Sequence, residues 1–428
     1  MSEIIVVFGG TGTIGHHLVP QLYKLLNRDA KTAYKHVIKV ITRDVSKAKD
    51  MFAYLHAYSD MDTVTDTDTD TDTAAVDCDT NVSNSNNNNH NNVVIEIIKG
   101  TVEEPDALRS TIRSATRLFL LTLTSLGPRQ CSVEGKILDI LGLHEDISDS
   151  TLSTATATNM NEIPSAIKHI VRLSAQSSVM EGQASNSPFR WHSDCDEQLL
   201  RLTDRYRAKG NNTNNINNTN NTNNNPNKIC MRDVCVTLLR PSLFMQDMTR
   251  RHFAPHIIAS NVFYQLGKLS TVAVEVEVKL GTNENSNNNN INNNNTTITT
   301  TTSAGTYIDG YTIAMVDARD IGDVAACVLS EPPTNHNNTY ILCGPKSYSW
   351  TDIAIAISTA TGRNITPILL SDVAFYKQFN NSHVYLKQMQ AYRCGCCMEV
   401  DGDIEIITGK PPRTIDEFAM DHVNAWKV

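Results

Sequence analysis

The residues best suited to hold a charged ligand lie near the amino terminus, in a glycine-rich segment. Five apolar residues at positions 4–8 are followed by Gly9, Gly12 and Gly15 at intervals of three. Such glycines allow a tight turn, a close approach of backbone to a phosphate, and close packing of the next helix. Leucines at helical spacing in residues 16–26 predict that helix, whose first N–H groups would face a bound anion. The predicted ligand contacts of this loop are Gly9, Gly10, Thr11, Gly12, Thr13, Ile14 and Gly15.

A second apolar segment, residues 37–42, ends at Arg43, and Lys47 follows shortly after it. In a βαβ unit this strand end lies beside the adenosine ribose, where an acidic residue accepts a hydrogen bond from a free 2′-hydroxyl and an arginine meets a 2′-phosphate. A guanidinium fork matches the geometry of a phosphate. The position therefore predicts NADP(H) rather than NAD, with Arg43 and Lys47 as contacts. The alternative interpretation is solvated charge at a strand end.

Alternating apolar strands and helical patterns predict an α/β fold, a Rossmann-type doubly wound parallel sheet. Polar residues at the carboxyl ends of such strands hold ligands, which singles out Thr122, Thr124 and Ser174. Beyond residue 242 the pattern changes to a smaller α+β lobe, with a helix near residues 243–258 and a strand at residues 340–343. The predicted strands of the sheet are residues 4–8, 37–42, 93–98, 118–123, 169–174 and 234–239.

We expect two parts, a NAD(P)-binding domain over residues 1–242 and a smaller substrate or partner lobe over residues 243–428. Four Asn-rich or Thr/Asp-rich tracts contain too little apolar surface to offset the entropy lost on ordering, and we predict that they are disordered insertions. Eight aspartates from Asp60 to Asp79 account for most of the net charge of −9. The rest of the chain is close to neutral, which argues against a nucleic-acid-binding surface. The tracts are residues 57–92, 148–161, 211–227 and 283–302.

The ten cysteines are scattered, apart from a cluster at Cys394, Cys396 and Cys397. This cluster has no fourth ligand at the spacing of a zinc site, so we predict loop thiols and no metal. No apolar run has the length of a membrane span, and the first strand begins too near Met1 for a signal peptide to precede it. These features predict a cytoplasmic protein with reduced thiols and no membrane association; nuclear presence and oligomeric state are left open.

Taken together, the motifs resemble the NmrA-like group of atypical short-chain dehydrogenases over nearly all of the sequence outside the polar tracts. The glycine loop alone is not specific, whereas the combination is. The segments that carry the resemblance include Gly-Gly-Thr-Gly-Thr-Ile-Gly at 9–15, Lys-His-Ile-Val-Arg-Leu-Ser-Ala at 168–175, Arg-Trp-His at 190–192, Leu-Arg-Pro-Ser-Leu-Phe-Met-Gln-Asp at 239–247, and Gly-Lys-Pro-Pro-Arg-Thr at 409–414.

This resemblance implies an NADP(H) site. It implies that the loop glycines contact the pyrophosphate, that Arg43 contacts the 2′-phosphate, and that Thr122 lies near the middle of the cofactor. It further implies that His192 stands where relatives have a lysine. The residues that the resemblance places beside the nicotinamide are Phe244, Met245, Gln246 and Asp247.

The Tyr-x-x-x-Lys pair that transfers a proton in many dehydrogenases is missing near Trp191. If His192 takes the lysine position, the tyrosine position is Pro188, which transfers no proton. His192 therefore remains a candidate for cofactor contact, for proton transfer, or for a solvent-facing role without either. Trp191, Phe244 and Met245 are candidates for an apolar acceptor pocket or for the core.

Two functions remain open. The first is a reductase that transfers hydride from NADPH directly to a small acceptor needing little acid catalysis, such as a quinone, azo or iminium compound. The second is a non-catalytic NADPH/NADP+ redox sensor that regulates a partner protein. The Arg-Trp-His and Phe-Met-Gln-Asp segments resemble the reductase branch of the family and favour the enzyme.

Overall fold

The computed structural model describes residues 3–28, 35–57, 92–121, 124–143, 166–176, 190–201, 234–250, 253–278, 298–331 and 337–427. The chain forms two compact units. Unit 1 comprises Met1–Gln246, Ala314–Lys346 and Val400–Thr414, and unit 2 comprises Asp247–Ile313, Ser347–Glu399 and Ile415–Val428. The sequence predicts one division after residue 242, whereas the chain returns twice to unit 1.

A seven-stranded parallel sheet forms the centre of unit 1, in the order β10, β6, β5, β4, β1, β2, β3. The chain-order reversal between β1 and β4 is the switch point of a doubly wound fold, where ligands bind outside the carboxyl ends of the strands. The predicted Rossmann-type sheet is thus confirmed. Its strands are β1 (Glu3–Phe8), β2 (His36–Thr42), β3 (Val93–Lys99), β4 (Arg117–Leu120), β5 (His169–Leu173), β6 (Cys235–Pro241) and β10 (Asn338–Leu342).

Two apolar clusters cover opposite faces of this sheet because successive strand residues point to opposite sides. Ile5 and Val7 of β1 belong to the cluster beneath α1 and α7, while Val6 and Phe8 belong to the cluster beneath α3 and α4. All four side chains are at most 1% exposed. The helices of unit 1 are α1 (Gly15–Arg28), α2 (Val45–Ala57), α3 (Arg109–Arg113), α4 (Gln130–Ile140), α5 (described over residues 190–201), α7 (Ala318–Ser330) and α11 (Asp403–Thr408).

Unit 2 contains two small two-stranded sheets. β7 (Val262–Leu266) pairs in parallel with β11 (Thr366–Leu370), and β8 (Lys268–Val278) pairs antiparallel with β9 (Ile298–Ile308). Buried Phe263 and Tyr311 pack edge-on against Trp350, which begins α8. The helices of unit 2 are α6 (Ala254–Ser260), α8 (Trp350–Thr361), α9 (Asp372–Gln378), α10 (His383–Arg393) and α12 (Ile415–Asp421).

Several predicted elements differ from the structure. The single helix expected near residues 243–258 is wrong: a 3-10 helix at Met245–Thr249 precedes α6. The strand expected in the small lobe at residues 340–343 is β10, which extends the main sheet beside β6. Residues 298–302, predicted to be disordered, begin β9, whose threonines suit a strand. Almost all residues of the other three tracts, and the first part of this one, lie outside the described residues.

Candidate functional site

The glycine loop leaves β1 at the switch point of the sheet. Gly9 has a φ of +72°, in the left-handed region that favours glycine, and its carbonyl accepts a 2.9 Å hydrogen bond from the N–H of Gly12. The loop then enters α1, where the N–H of Leu18 donates to the carbonyl of Ile14 at 2.9 Å. Gly12 is exposed and Thr13 is half-buried, so the outer side of the loop faces solvent.

Two further glycines are required by close packing. A Cβ atom on Gly10 would lie 2.2 Å from Cγ1 of Val40, and one on Gly15 would lie 2.3 Å from the carbonyl oxygen of Gly9. The second clash is with backbone, which a side-chain rotation does not relieve. The amino end of α1 is therefore held directly against the turn, as a phosphate-binding loop requires.

The loop is joined to the end of β2. Thr11 Oγ1 and Thr42 Oγ1 are 2.9 Å apart in a hydrogen bond, and the exposed Arg43 is the first residue after β2. At the start of α2, Asp44 Oδ1 accepts a 2.9 Å hydrogen bond from the backbone N–H of Lys47. The side chain of Lys47 is exposed. The structure thus brings the glycine loop, Arg43 and Lys47 to one edge of the sheet.

The residues predicted after β4 are placed less fully. β4 ends at Leu120, three residues earlier than predicted, and Thr122 lies outside the described residues. Thr124 begins a 3-10 helix, and only its backbone is described.

A buried ionic cluster lies behind the carboxyl end of β5, and sequence reasoning missed it. Arg172 of β5 is 0% exposed, and its Nε and Nη2 donate to the two carboxylate oxygens of Glu134 at 2.7 and 3.0 Å. Its Nη1 donates to Asp196 Oδ1 at 2.5 Å. Burial alone would lower the pKa of Arg172, but Glu134 and Asp196 raise it, so the guanidinium stays charged.

Asp196 connects this cluster to the predicted site residues. Its Oδ2 accepts from Ser174 Oγ at 2.8 Å and from Arg240 Nη2 at 3.0 Å. The hydroxyl of Ser174 therefore serves the buried carboxylate. The available sequence signal was Arg172 itself, a permanent charge within a short strand of the predicted buried sheet, since such a charge requires a partner.

His192 lies on α5, one turn before Asp196, and is only 8% exposed. Gln130 Nε2 lies 3.3 Å from its Nδ1, at hydrogen-bonding distance. Burial and then the charge of Arg172 lower the pKa of His192 to about 4, against the opposing effects of Glu134 and Asp196. The imidazole is therefore neutral at pH 7, which disfavours proton donation from an imidazolium. The solvent-facing interpretation does not fit its burial.

Backbone and side-chain hydrogen bonds hold residues 245 and 246, after β6, within unit 1. Met245 is 0% exposed, and its backbone N–H donates a hydrogen bond to the carbonyl oxygen of Val316 at 2.9 Å. Gln246 Nε2 donates to Asp317 Oδ1 at 2.8 Å while its Oε1 accepts from the N–H of Ala318 at 2.9 Å, at the start of α7. The amide of Gln246 thus has a structural partner on each side.

The other predicted contacts differ in environment. Phe244 is half-buried. Trp191 is 7% exposed, and its indole ring lies next to Gly127. Asp247 is the first residue of unit 2 and is half-buried. Burial raises the pKa of its carboxyl group to about 6. The charge of Arg250, whose Nη1 lies 4.0 Å from Asp247 Oδ1, opposes this rise. Met245 and Trp191 therefore belong to the core.

Among the described residues there is no group of three His, Cys, Asp or Glu side chains placed to hold a metal ion. In the same part of the chain, none of the helices has both the length and the apolar character needed to cross a bilayer.

Comparison with known proteins gives partial sequence matches, and no family model matches the chain. The chain is 27% identical over 121 residues to an uncharacterized oxidoreductase of Bacillus subtilis and to agroclavine dehydrogenase of Claviceps fusiformis. It is 27% identical over 125 residues to an NAD(P)H azoreductase of Xenophilus azovorans. Each match covers 27% of this chain and 42% of the relative's length.

Solved structures match over almost the whole chain. An NADPH-dependent quinone oxidoreductase from Escherichia coli, complexed with NADPH, gives a TM-score of 0.56 at 14% identity and covers 98% of this chain and 99% of that one. A triphenylmethane reductase from Citrobacter sp., complexed with NADP(H), gives 0.54 at 13% identity with the same coverage. The transcriptional regulator NmrA gives 0.50 at 10% identity and covers 98% of this chain and 95% of that one. The chain therefore has the fold of the NmrA-like atypical short-chain dehydrogenases, the group that its sequence motifs resemble.

Proposed function

We propose that the protein is an NADP(H)-dependent oxidoreductase that transfers hydride from NADPH directly to a small acceptor of the quinone, azo or iminium type. The observation that carries this proposal is the hydrogen bond between Thr11 of the glycine loop and Thr42, the residue immediately before the exposed Arg43. The names of the similar proteins support the reaction class, since they include an azoreductase, a quinone oxidoreductase and a triphenylmethane reductase.

The residues present fit this cofactor. The backbone of residues 9–15 at the start of α1 would bind the pyrophosphate, where N–H groups and the helix dipole favour an anion. Arg43 would bind the 2′-phosphate, with Lys47 adding positive charge one helical turn away. When bound, NADPH supplies a hydride. What the protein contributes is the binding and orientation of the two reactants.

The state of His192 supports an acceptor that needs no strong acid. With a pKa of about 4 the imidazole is neutral at pH 7, and the Gln130 amide lies 3.3 Å from its Nδ1. If that amide donates, Nε2 carries the ring proton and is free to donate a hydrogen bond to a ribose hydroxyl or to the acceptor. We propose this orienting role for His192. An iminium carbon takes a hydride to give a neutral amine, and a quinone gives a stabilised phenolate, so neither needs an imidazolium.

The test is turnover with a panel of acceptors. Purified protein is mixed with NADPH and, in separate reactions, menadione, an azo dye and a triphenylmethane dye, and the loss of nicotinamide absorbance is followed. We expect oxidation of NADPH with at least one of them, and little with NADH. Gly15→Ala, which places a Cβ against the backbone of the loop, is the control that should remove turnover.

The alternative is a sensor that binds NADP(H) without turnover and regulates a partner protein. The resemblance of the fold to NmrA, a transcriptional regulator, is the observation in its favour. Tight NADPH binding with no turnover on any acceptor class would contradict the reductase and support this alternative. No binding of either cofactor would contradict both.

A further inference from the structure

Unit 2 contains a pair of thiols that the proposed function does not use. Cys396 and Cys397 are adjacent in the loop after α10, and their Sγ atoms lie 3.4 Å apart. Each residue is 5% exposed, whereas Cys394, two positions earlier, is exposed. Bringing these two sulfur atoms from 3.4 Å to about 2.05 Å would form an S–S bond, which would close an eight-membered ring through the peptide between the two residues.

The loop backbone fixes this arrangement. The N–H of Gly395 donates to the carbonyl of Tyr392 at 3.0 Å, and the N–H of Cys396 donates to that of Ala391 at 3.2 Å. Gly395 has a φ of +100°, and Cys397 has a φ of +68°, a left-handed conformation that is uncommon for a residue with a side chain. In a strand, adjacent side chains point to opposite sides. This turn instead brings two successive sulfur atoms together.

We propose that Cys396 and Cys397 are a modification site, a vicinal dithiol that a hydroperoxide converts reversibly into a disulfide. One sulfur, as thiolate, attacks the peroxide oxygen; the O–O bond breaks, a sulfenic acid forms, and water or an alcohol leaves. The second sulfur attacks the sulfenic sulfur, so that the S–S bond forms and a second water leaves. The two thiols lose two electrons and two protons, which reduce the peroxide.

The neighbouring thiol decides the outcome of this oxidation. A sulfenic acid that meets a thiol 3.4 Å away condenses with it, while an isolated one continues to the irreversible sulfinic acid. Burial of both sulfurs restricts the reaction to small oxidants such as hydrogen peroxide. Exposed Cys394 is open to larger reagents. A dithiol reductant would restore the pair by thiol–disulfide exchange.

Peptide mapping of the intact protein tests this proposal. Protein treated with hydrogen peroxide is unfolded in iodoacetamide and digested with trypsin, which gives one peptide, residues 394–413, because Lys410 precedes a proline. We expect this peptide to carry a single alkyl group, on Cys394. Its mass should be lower by two hydrogen atoms than that of the same singly alkylated peptide with Cys396 and Cys397 as free thiols. Dithiothreitol before alkylation should restore three alkyl groups. A disulfide that includes Cys394, or sulfinic acid without any disulfide, would overturn the proposal.

Two variants sharpen the result. Cys394→Ala, the matched control from the same loop, should form the disulfide as the wild type does. Cys397→Ala should form no such disulfide, and its Cys396 should instead be oxidised to the sulfinic acid, which the peptide map shows as two added oxygen atoms on that residue. Circular dichroism checks that both variants fold; if Cys397→Ala does not, the wild-type map and Cys394→Ala still decide. The experiment uses no nicotinamide cofactor, so its result is independent of the proposed function.

Discussion

Buried imidazoles are the residues through which pH acts most directly on this fold. Burial lowers the pKa of His169 to about 4, as it does for His192, from an unfolded value near 6.5. The unfolded chain therefore binds more protons between pH 4 and pH 6.5, and stability falls as the pH decreases through that window. In His169→Gln the amide can still form a hydrogen bond with Thr237. When the pH falls from 7 to 5, we expect the free energy of unfolding of this variant to decrease by about 1–2 kcal/mol less than that of the wild type. Urea unfolding at both pH values measures this.

The comparison with the wild type is essential because other groups act with the opposite sign. Burial raises the pKa of Asp247 and of Asp320 to about 6, so the folded state binds the extra proton there and stability rises as the pH falls. These contributions are common to both proteins and cancel in the difference. An identical pH dependence in His169→Gln and wild type would show that the imidazole is not held neutral.

Gly15 provides the sharpest residue-level test of the loop. A Cβ at this position would lie 2.3 Å from Gly9 O and 2.5 Å from Gly10 Cα, so Gly15→Ala must displace the loop or the start of α1. We expect at least a tenfold weaker affinity for NADPH, measured by titration calorimetry. Gly402→Ala, where the nearest atom to the new Cβ is 3.9 Å away, is the control and should bind normally. Unchanged affinity in Gly15→Ala would contradict a loop that touches the cofactor.

The sequence predicted the parts of the site that depend on local pattern. The glycine spacing and the arginine at the end of β2 are both local features. By contrast, Glu134 and Asp196 lie 38 and 24 positions from Arg172 in the sequence, and the three residues meet only in the folded protein. The arginine within β5 is a signal from which a buried partner could have been predicted, but no sequence pattern identifies which carboxylates supply it.

Among the elements, α4, β5 and α5 are held together by this ionic cluster. Removing one charge from a buried pair leaves the other uncompensated, which typically costs 3–5 kcal/mol. Glu134→Gln retains the shape but lowers the negative charge around Arg172, and we expect it to destabilise the fold by about 3 kcal/mol. The measurement is the midpoint of denaturant unfolding.

An exposed pair on α5 gives the matched control. Glu197 and Arg201 form an ion pair in which both side chains are more than half exposed. Glu197→Gln should change stability by less than about 1 kcal/mol, because solvent screens exposed charges. Equal effects of Glu134→Gln and Glu197→Gln would mean that the buried cluster does not stabilise the fold.

Elements set by local chemistry were predicted more accurately than those set by pairing. The start of α8 is set by local chemistry, because Ser349 and Asp352, three residues apart, form a reciprocal capping box. β10 was assigned to the wrong part of the molecule because the sequence of a five-residue strand does not reveal which strand it pairs with. Its partner, β6, is about a hundred residues away in the sequence. The threonines at the start of β9 were misassigned because their composition resembles that of the polar tracts.

At the scale of the whole molecule, unit 1 is assembled from three separate stretches of chain. α7 packs against α1, where Gly322 lies against His17, and apolar residues of α7 belong to the cluster that covers one face of the sheet. A fragment of residues 1–242 lacks α7, β10 and α11. We therefore expect this fragment not to unfold cooperatively, as measured by near-ultraviolet circular dichroism during thermal unfolding. A fragment with a cooperative transition and full NADPH affinity would contradict this.

The central claim is that the amino-terminal loop and Arg43 together select a phosphorylated nicotinamide cofactor. Calorimetric titration of wild type and Arg43→Ala with NADPH and with NADH tests it most directly. We expect Arg43→Ala to weaken NADPH binding by roughly 1.5–3 kcal/mol, about 10- to 150-fold, and to leave NADH binding unchanged. Lys24→Ala, which removes an exposed charge from α1, should alter neither. Equal losses for both cofactors, or no loss for either, would contradict the claim.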